Sequence, residues 1–229
     1  MAAAETPMQI DVIFDTVCPW CFIGKRRLEA ALERAGEEEV QIVWHPFLLN
    51  PEMPIEGIDK DTYFRAKFGG RARSQRVSRA IAEAGESVGI EFDFDHMRRI
   101  PNSVNSHRLV KCAAEQGRAG EAVEALYQAY FLDGRDIGNT SILLRLGQEL
   151  GFKPENLRKY LHGDENMQAI RDDNARAHRM GVTGVPAYII DGRFAVSGAQ
   201  EPDVFLRLFE VARARRQEEL AEAPQSTVE

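Results

Sequence analysis

Several things are missing from this chain, and each absence removes a class of protein. There is no run of about 18 apolar residues, so no membrane span is expected. Basic residues are not in excess: the net charge is -7 and the pI near 5.4, which makes nucleic acid a poor partner and reads as solubility. The opening residues, Met1-Ala-Ala-Ala-Glu-Thr-Pro, lack both the basic region and the apolar core of an export signal. Cysteine is scarce, with three in 229 residues. Together with the missing signal, that makes the cytosol the expected compartment. No internal repeat and no low-complexity tract is visible. What remains is a 44% hydrophobic chain, long enough for one large domain or a small one with a sizeable insertion.

Two of the three cysteines stand together in Cys18-Pro19-Trp20-Cys21, after the apolar run Ile10–Phe14 and before a helical-looking segment to Ala35. A helix start offers unpaired N–H groups and the positive end of the dipole, both of which favour an anion. A thiol there can fall from about 8.5 into the range of roughly 3.5–7.5. Pro19 suits the first turn, where its missing N–H costs nothing. Cys21 lies on the same helical face, within reach of a disulfide. The pattern points to Cys18 as an exposed attacking thiol and Cys21 as a partly buried resolving thiol, with Trp20 as an exposed aromatic for docking. Zinc would need a second ligand pair, and only Cys112 and scattered histidines are left, so no metal is expected. An inert disulfide and plain core cysteines are the other readings of the tetrapeptide.

Around that motif, Met8–Phe14 reads as a strand, Cys18–Ala35 as a helix closed by Gly36, and Val40–Leu49 as a second, parallel strand. From Asn50 onwards prolines and glycines break the chain into helical pieces. These are 59–68, 73–88, 102–117, 119–132, 139–150, 154–162 and 164–180, with Asn139 as an N-cap and Pro154 at N1. Strand character returns at Ala187–Ile190, followed by the two-residue turn Asp191-Gly192 and a return strand Phe194–Ser197. A last helix opens at Glu201-Pro202. The fold class is therefore α/β: βαβ, a helical block, then ββα, a mixed four-stranded sheet with a large all-helical insertion. Residues 8–50 and 182–214 form the discontinuous α/β domain, 51–181 the insertion, and 1–7 and 215–229 flexible tails.

That order resembles the DsbA-type branch of the thioredoxin superfamily, in particular the FrnE-like dithiol–disulfide oxidoreductases. The likeness rests on Asp15-Thr-Val-Cys-Pro-Trp-Cys21, Phe47-Leu-Leu-Asn-Pro51, Asn102 with His107-Arg-Leu109, Asp136-Ile137, Gly181-Val-Thr-Gly-Val-Pro186 and Ser197-Gly-Ala-Gln200. The resemblance implies a cis bond before Pro186, facing the cysteines, with the backbone of Val185 meeting an extended substrate. It implies thiol–disulfide exchange with protein or small-molecule partners, no bound cofactor, and glutathione as a conceivable redox co-substrate. Monomer and homodimer are both compatible with it. One position departs from the pattern: thioredoxins keep a buried acid six residues before the first cysteine, where this chain has Val12. Asp11 or Asp15 could replace it, although Asp15 also reads as a plain loop residue.

A sister group, the kappa-class glutathione transferases and hydroxychromene carboxylate isomerases, shares the strand order but carries serine at the first cysteine. It leaves a glutathione-dependent isomerase as an alternative function, and it suggests that Asn50, Asn102 and His107 line a pocket. The bland readings are a turn residue, an N-cap and a helix-surface histidine. A redox-controlled binding module is the third alternative. Of the rest, Cys112 reads as a buried inert thiol, His45 as a core histidine, and Lys25-Arg26-Arg27 as a solvated helix face.

Overall fold

The computed structural model describes residues 7–36 and 40–222. The first strand, β1 (Met8–Phe14), is the hub of the sheet. It runs parallel to β2 (Val40–Pro46) on one side and antiparallel to β5 (Ala187–Ile190) on the other, and β6 (Phe194–Ser197) closes the order β2-β1-β5-β6. Between β1 and β2 lies helix α1 (Pro19–Ala35). Pro19 occupies its first turn, and Gly36 closes it in the left-handed region at φ 65°, where glycine alone carries no Cβ penalty. Ile10, Val12 and Phe14 face the main core, while Ile13 joins Phe47, Ala177 and Ala187 on the other face of the sheet. The Val185–Pro186 peptide at the entry to β5 is cis.

The insertion holds the short strand β3 (Ile58–Asp59), helices α2 (Lys60–Phe68) and α3 (Arg71–Glu86), the short strand β4 (Arg99–Ile100), α4 (Val104–Ala114) and α5 (Ala119–Tyr127). A π turn at Gln128–Leu132 prolongs α5, and α6 (Thr140–Glu149), α7 (Pro154–His162) and α8 (Met167–Arg179) complete it. The expected helices are present with ends shifted by a few residues, and Asn139 caps α6 through Ser141 N–H at 2.8 Å. Beside them runs the β3–β4 ribbon, which the sequence reading lacks. Two-residue strands are too short to show a period. Arg108 is fully buried and donates to the carbonyls of Leu161, Gly163 and Glu165 at the end of α7 and beyond it, groups that no helix could satisfy by itself.

Two expectations about the last third need correction. The β5–β6 loop spans Asp191, Gly192 and Arg193, because Ile190 pairs with Phe194; it is one residue longer than a two-residue turn. Helix α9 (Pro202–Glu222) runs through residues 215–222, which were expected to be a tail. Its charged end supports itself by pairs at helical spacing, such as Arg215 with Glu218 at 3.0 Å. Residues 1–6 and 223–229 of the expected tails lie outside the described residues.

Helix α1 sits between the sheet and the insertion, so its first half is buried nearly all round rather than along one stripe. Phe22 stacks on Tyr127 of α5 at 5.0 Å, and Tyr188 of β5 meets Phe205 of α9 edge-on at 4.8 Å. The seat of α1 on β5 depends on Gly24. A Cβ there would land on the Tyr188 hydroxyl and 2.9 Å from Pro186 Cγ. In an open helix Gly→Ala gains about 1 kcal/mol. Here overpacking reverses the sign, and Gly24→Ala is expected to cost a net 1–2 kcal/mol, roughly, in urea unfolding. An unchanged or raised midpoint would show that α1 does not seat on Pro186 and Tyr188.

Candidate active site

The loop between β1 and α1 folds back on itself through two backbone bonds. Cys18 N–H donates to Asp15 C=O at 3.1 Å, and Cys21 N–H to Cys18 C=O at 3.0 Å. Cys18 is the N-cap of α1, in extended conformation, and no acidic residue stands in the first turn. The positive end of the helix is thus left to the sulfur. Both cysteines are reduced. The expectation of an exposed Cys18 fails: it is 4% exposed, because the segment before β5 covers it and Val185 C=O accepts from its Sγ at 3.6 Å. Trp20 stays 39% exposed beside it. Sequence reasoning placed Cys18, Pro19, Trp20, Cys21, Val185 and Pro186 together, and the fold brings Cys18 and Val185 into contact across 167 residues.

Cys21 is the more deeply held sulfur, 2% exposed. Burial pushes its thiol well above the usual range, the hydrogen bond to Cys18 and the charge there push the same way, and a hydrogen bond from the Asp15 backbone pulls back. It therefore needs a proton acceptor before it can act as a nucleophile.

Asp15 is where such an acceptor would be. It is a fully buried carboxylate, not a plain loop residue. Leu49 N–H donates to its Oδ2 at 2.8 Å, and His107 Nε2 stands 3.2 Å from its Oδ1. Asp11, the other candidate, is held by His45 at 2.7 Å and by Gln9. His45 itself is half-buried rather than a core residue. His107 is 2% exposed, which overturns its reading as a helix-surface residue and sets it behind Asp15 instead of against a docked substrate. Sequence spacing could not reveal this, since the face of α4 that carries His107 is covered by β1 and the Asp15 loop, far away in the chain. Its ring meets Phe14 edge-on at 5.0 Å. Asn102 is not the N-cap of α4, which is Ser103, but lies one residue before it, accepting from Val104 N–H at 3.0 Å and donating to Met53 C=O at 2.6 Å. Asn50 accepts from the Tyr63 hydroxyl at 2.6 Å within its turn. Cys112 is half-buried instead of buried; burial, then Glu115 and Glu165, raise its thiol. Among the described residues no group of three or more His, Cys, Asp or Glu is placed to hold a metal.

The basic run on α1 is not a solvated face. Lys25 is buried and ion-pairs with Glu124 of α5 at 2.7 Å, and Arg26 reaches the same carboxylate. Arg27 donates to Ala199 C=O at 2.5 Å and pairs with Glu201 at 2.7 Å. The run tethers α1 to the insertion on one side and to the start of α9 on the other.

A pair of cysteines at the N-terminus of a helix, opposite a proline that opens an antiparallel strand, with a mixed β2-β1-β5-β6 sheet behind it, defines a thioredoxin-type fold. More narrowly, the chain belongs to the family of the DSBA-like thioredoxin domain, whose model matches residues 9–210. YwbO of Bacillus subtilis is 27% identical over 202 residues, covering 86% of this chain and 94% of that protein. SCO1869 of Streptomyces coelicolor, described as a probable DsbA oxidoreductase, superposes with a TM-score of 0.83 at 26% identity, covering 97% of this chain and 94% of that one. The cytosolic disulfide reductase DsbM of Pseudomonas aeruginosa shares the fold, with a TM-score of 0.62 at 20% identity over 94% of this chain and all of its own.

The Glu124 tether generates a pH prediction. Burial alone would raise this carboxyl, but hydrogen bonds from Arg26 and Lys25 outweigh it and hold it at about 2 against an ordinary 4.5. A depressed carboxyl contributes stability that is complete above pH 4.5 and is lost as pH falls toward 2. Allowing for solvent screening of a partly exposed group, Glu124→Gln is expected to cost about 1–2 kcal/mol at pH 7. The variant and the parent should converge in urea unfolding as the pH approaches 2. A pH-independent difference would show that the ion pair is not its source.

Proposed function

We propose that the chain is a dithiol–disulfide oxidoreductase in which Cys18 attacks and Cys21 resolves. The observation that carries this reading is the asymmetry of the pair: Cys18 caps the helix and touches Val185, whereas Cys21 is buried with its thiol raised. The Cys18 thiolate attacks one sulfur of a partner disulfide, and the other sulfur leaves as a thiolate. Cys21 then gives its proton to the Asp15 carboxylate and attacks Cys18 Sγ. The Cys18–Cys21 bond forms, and the bond from Cys18 to the partner sulfur breaks with its electron pair leaving on that sulfur. Run backwards, the same steps oxidise a dithiol, and the direction follows the relative potentials of the two couples.

Because Cys18 is covered, a partner must displace the Val185 contact or slide along it. The Val185 carbonyl that accepts from Cys18 is the natural backbone anchor for an extended peptide, with Trp20 and Pro19 lining the approach. Glutathione is the small-molecule partner to test first. A protein of the same fold, DsbM, is known with it bound, and in the cytosolic setting we assign to this chain it is the abundant thiol. No metal or bound cofactor enters any step.

Cys18→Ser is expected to abolish reduction of insulin disulfides. Cys21→Ser should retain the first step and accumulate a mixed disulfide with oxidised glutathione, seen by intact mass. Full turnover by Cys18→Ser would reject the assignment.

A further inference from the structure

A cleft of about 280 Å³ opens between β2, α4 and α8, lined by Trp44, His45, Val110, Lys111, Asp173 and Arg176 among others. Phe14, Ile170 and His107 are its most deeply buried walls, and His107 is the titratable one among these three. The same imidazole stands 3.2 Å from the Asp15 carboxylate. The two faces of the site are thus joined by two buried polar side chains: thiols, then Asp15, then His107, then the cleft. Nothing in the exchange itself requires that second half. A carboxylate alone can accept the Cys21 proton, but one buried without water must also lose it again before the next cycle.

Resting on the mechanism above, we propose that this cleft is the proton port of the dithiol, and that His107 is the positioning residue that carries protons between Asp15 and the solvent in the cleft. When Cys21 resolves a mixed disulfide, its proton moves to Asp15. With the ring proton on Nδ1, His107 accepts it on Nε2, the nitrogen facing Asp15, and gives up the Nδ1 proton to cleft water, so the pair returns to its starting charge; the reverse transfer restores the tautomer. In the opposite direction the thiolate displaced at Cys21 is reprotonated from Asp15, and the port refills it. Neither end passes through the mouth at Cys18, which a bound partner blocks during this step.

The charged and titratable groups around the imidazole fit such a path. On its inner side stand Asp15, the two thiols, and the Tyr127 hydroxyl of α5, which donates to Asp15 C=O at 3.4 Å. The Thr16 and Ser106 hydroxyls bond to each other at 2.6 Å nearby. On the cleft side His45 is paired with Asp11, and Lys111 and Arg176 are both paired with Asp173. These cleft charges are all paired away from the imidazole, Lys111 and Arg176 sharing Asp173, so none competes for the Asp15–His107 pair.

The test separates the two chemical steps. Reduced protein is mixed with oxidised glutathione, quenched in acid and resolved by intact mass, while the reactivity of Cys18 is followed separately by iodoacetamide. His107→Ala is expected to alkylate at Cys18 within about twofold of the parent, yet to resolve its mixed disulfide roughly tenfold to 100-fold more slowly. Added imidazole, entering through the cleft, should restore resolution in a saturable way and in proportion to its free-base fraction, which a merely structural histidine would not show. Should that variant fold poorly, Ala114→Phe offers a second route: Ala114 is an exposed cleft residue outside the site, and the larger ring should plug the port and slow the same step. Parent-like resolution in either folded variant, or slow resolution of His107→Ala that imidazole leaves unchanged, overturns the port. Absence of a Cys18–Cys21 disulfide in the parent protein would instead overturn the exchange mechanism itself.

Discussion

A carboxylate with no access to water lies behind two sulfurs, and much of the molecule is arranged to make that tolerable. Moving a charge of this kind out of water costs several kcal/mol unless donors replace the lost hydration. Asp15 finds such donors in the Leu49 N–H after β2 and, more weakly, in the Val17 N–H of its own loop at 3.4 Å, while His107 Nε2 of α4 stands 3.2 Å from its other oxygen. Its backbone carbonyl meanwhile receives Cys18 N–H and the Tyr127 hydroxyl. One short loop is thereby held by the sheet, by two helices of the insertion and by the start of α1. The insertion helps to hold the loop that carries the cysteines although neither of the pair comes from it.

The second constraint is the position of α1. A thiol at its N-terminus profits from the helix field only if the helix stays fixed relative to the strand entry that faces it. Gly24 lets α1 approach β5, the Phe22–Tyr127 stack holds it against α5, and Lys25 and Arg26 converge on Glu124. The two sulfurs consequently see different surroundings. Cys18 meets a backbone carbonyl at the rim, and Cys21 faces inward toward Asp15 and Tyr127. In the exchange proposed above, that difference is the basis for giving Cys18 the attacking and Cys21 the resolving role.

How much of this was legible varied residue by residue. Pro19 at a first turn, Gly36 at a left-handed cap and Asn139 at an N-cap act through atoms a few positions away, and their reading holds in the structure. Lys25-Arg26-Arg27 was read as a solvated helix face, since no partner for the run is visible nearby in the sequence. Its real partner, Glu124, is 99 residues from Lys25 and comes from a different helix. Arg215 and Glu218 were taken for the start of a loose tail, when their spacing is that of a helical pair. Asp15 and His107 were both visible as residue types, but nothing local marks either as buried.

From its sequence alone the chain determined its strand and helix order, the Cys-Pro-Trp-Cys motif at a helix start, and the proline that opens the third strand of the main sheet. Periodicity, capping and turn chemistry operate within a few residues, so they are written locally. Only the tertiary structure decided that Cys18 is covered by Val185, that Asp15 is fully buried, and that His107 stands between it and a cleft on another face. Burial depends on which distant elements arrive, and the free energy of a charge or a thiol depends on burial more than on its neighbours in the chain.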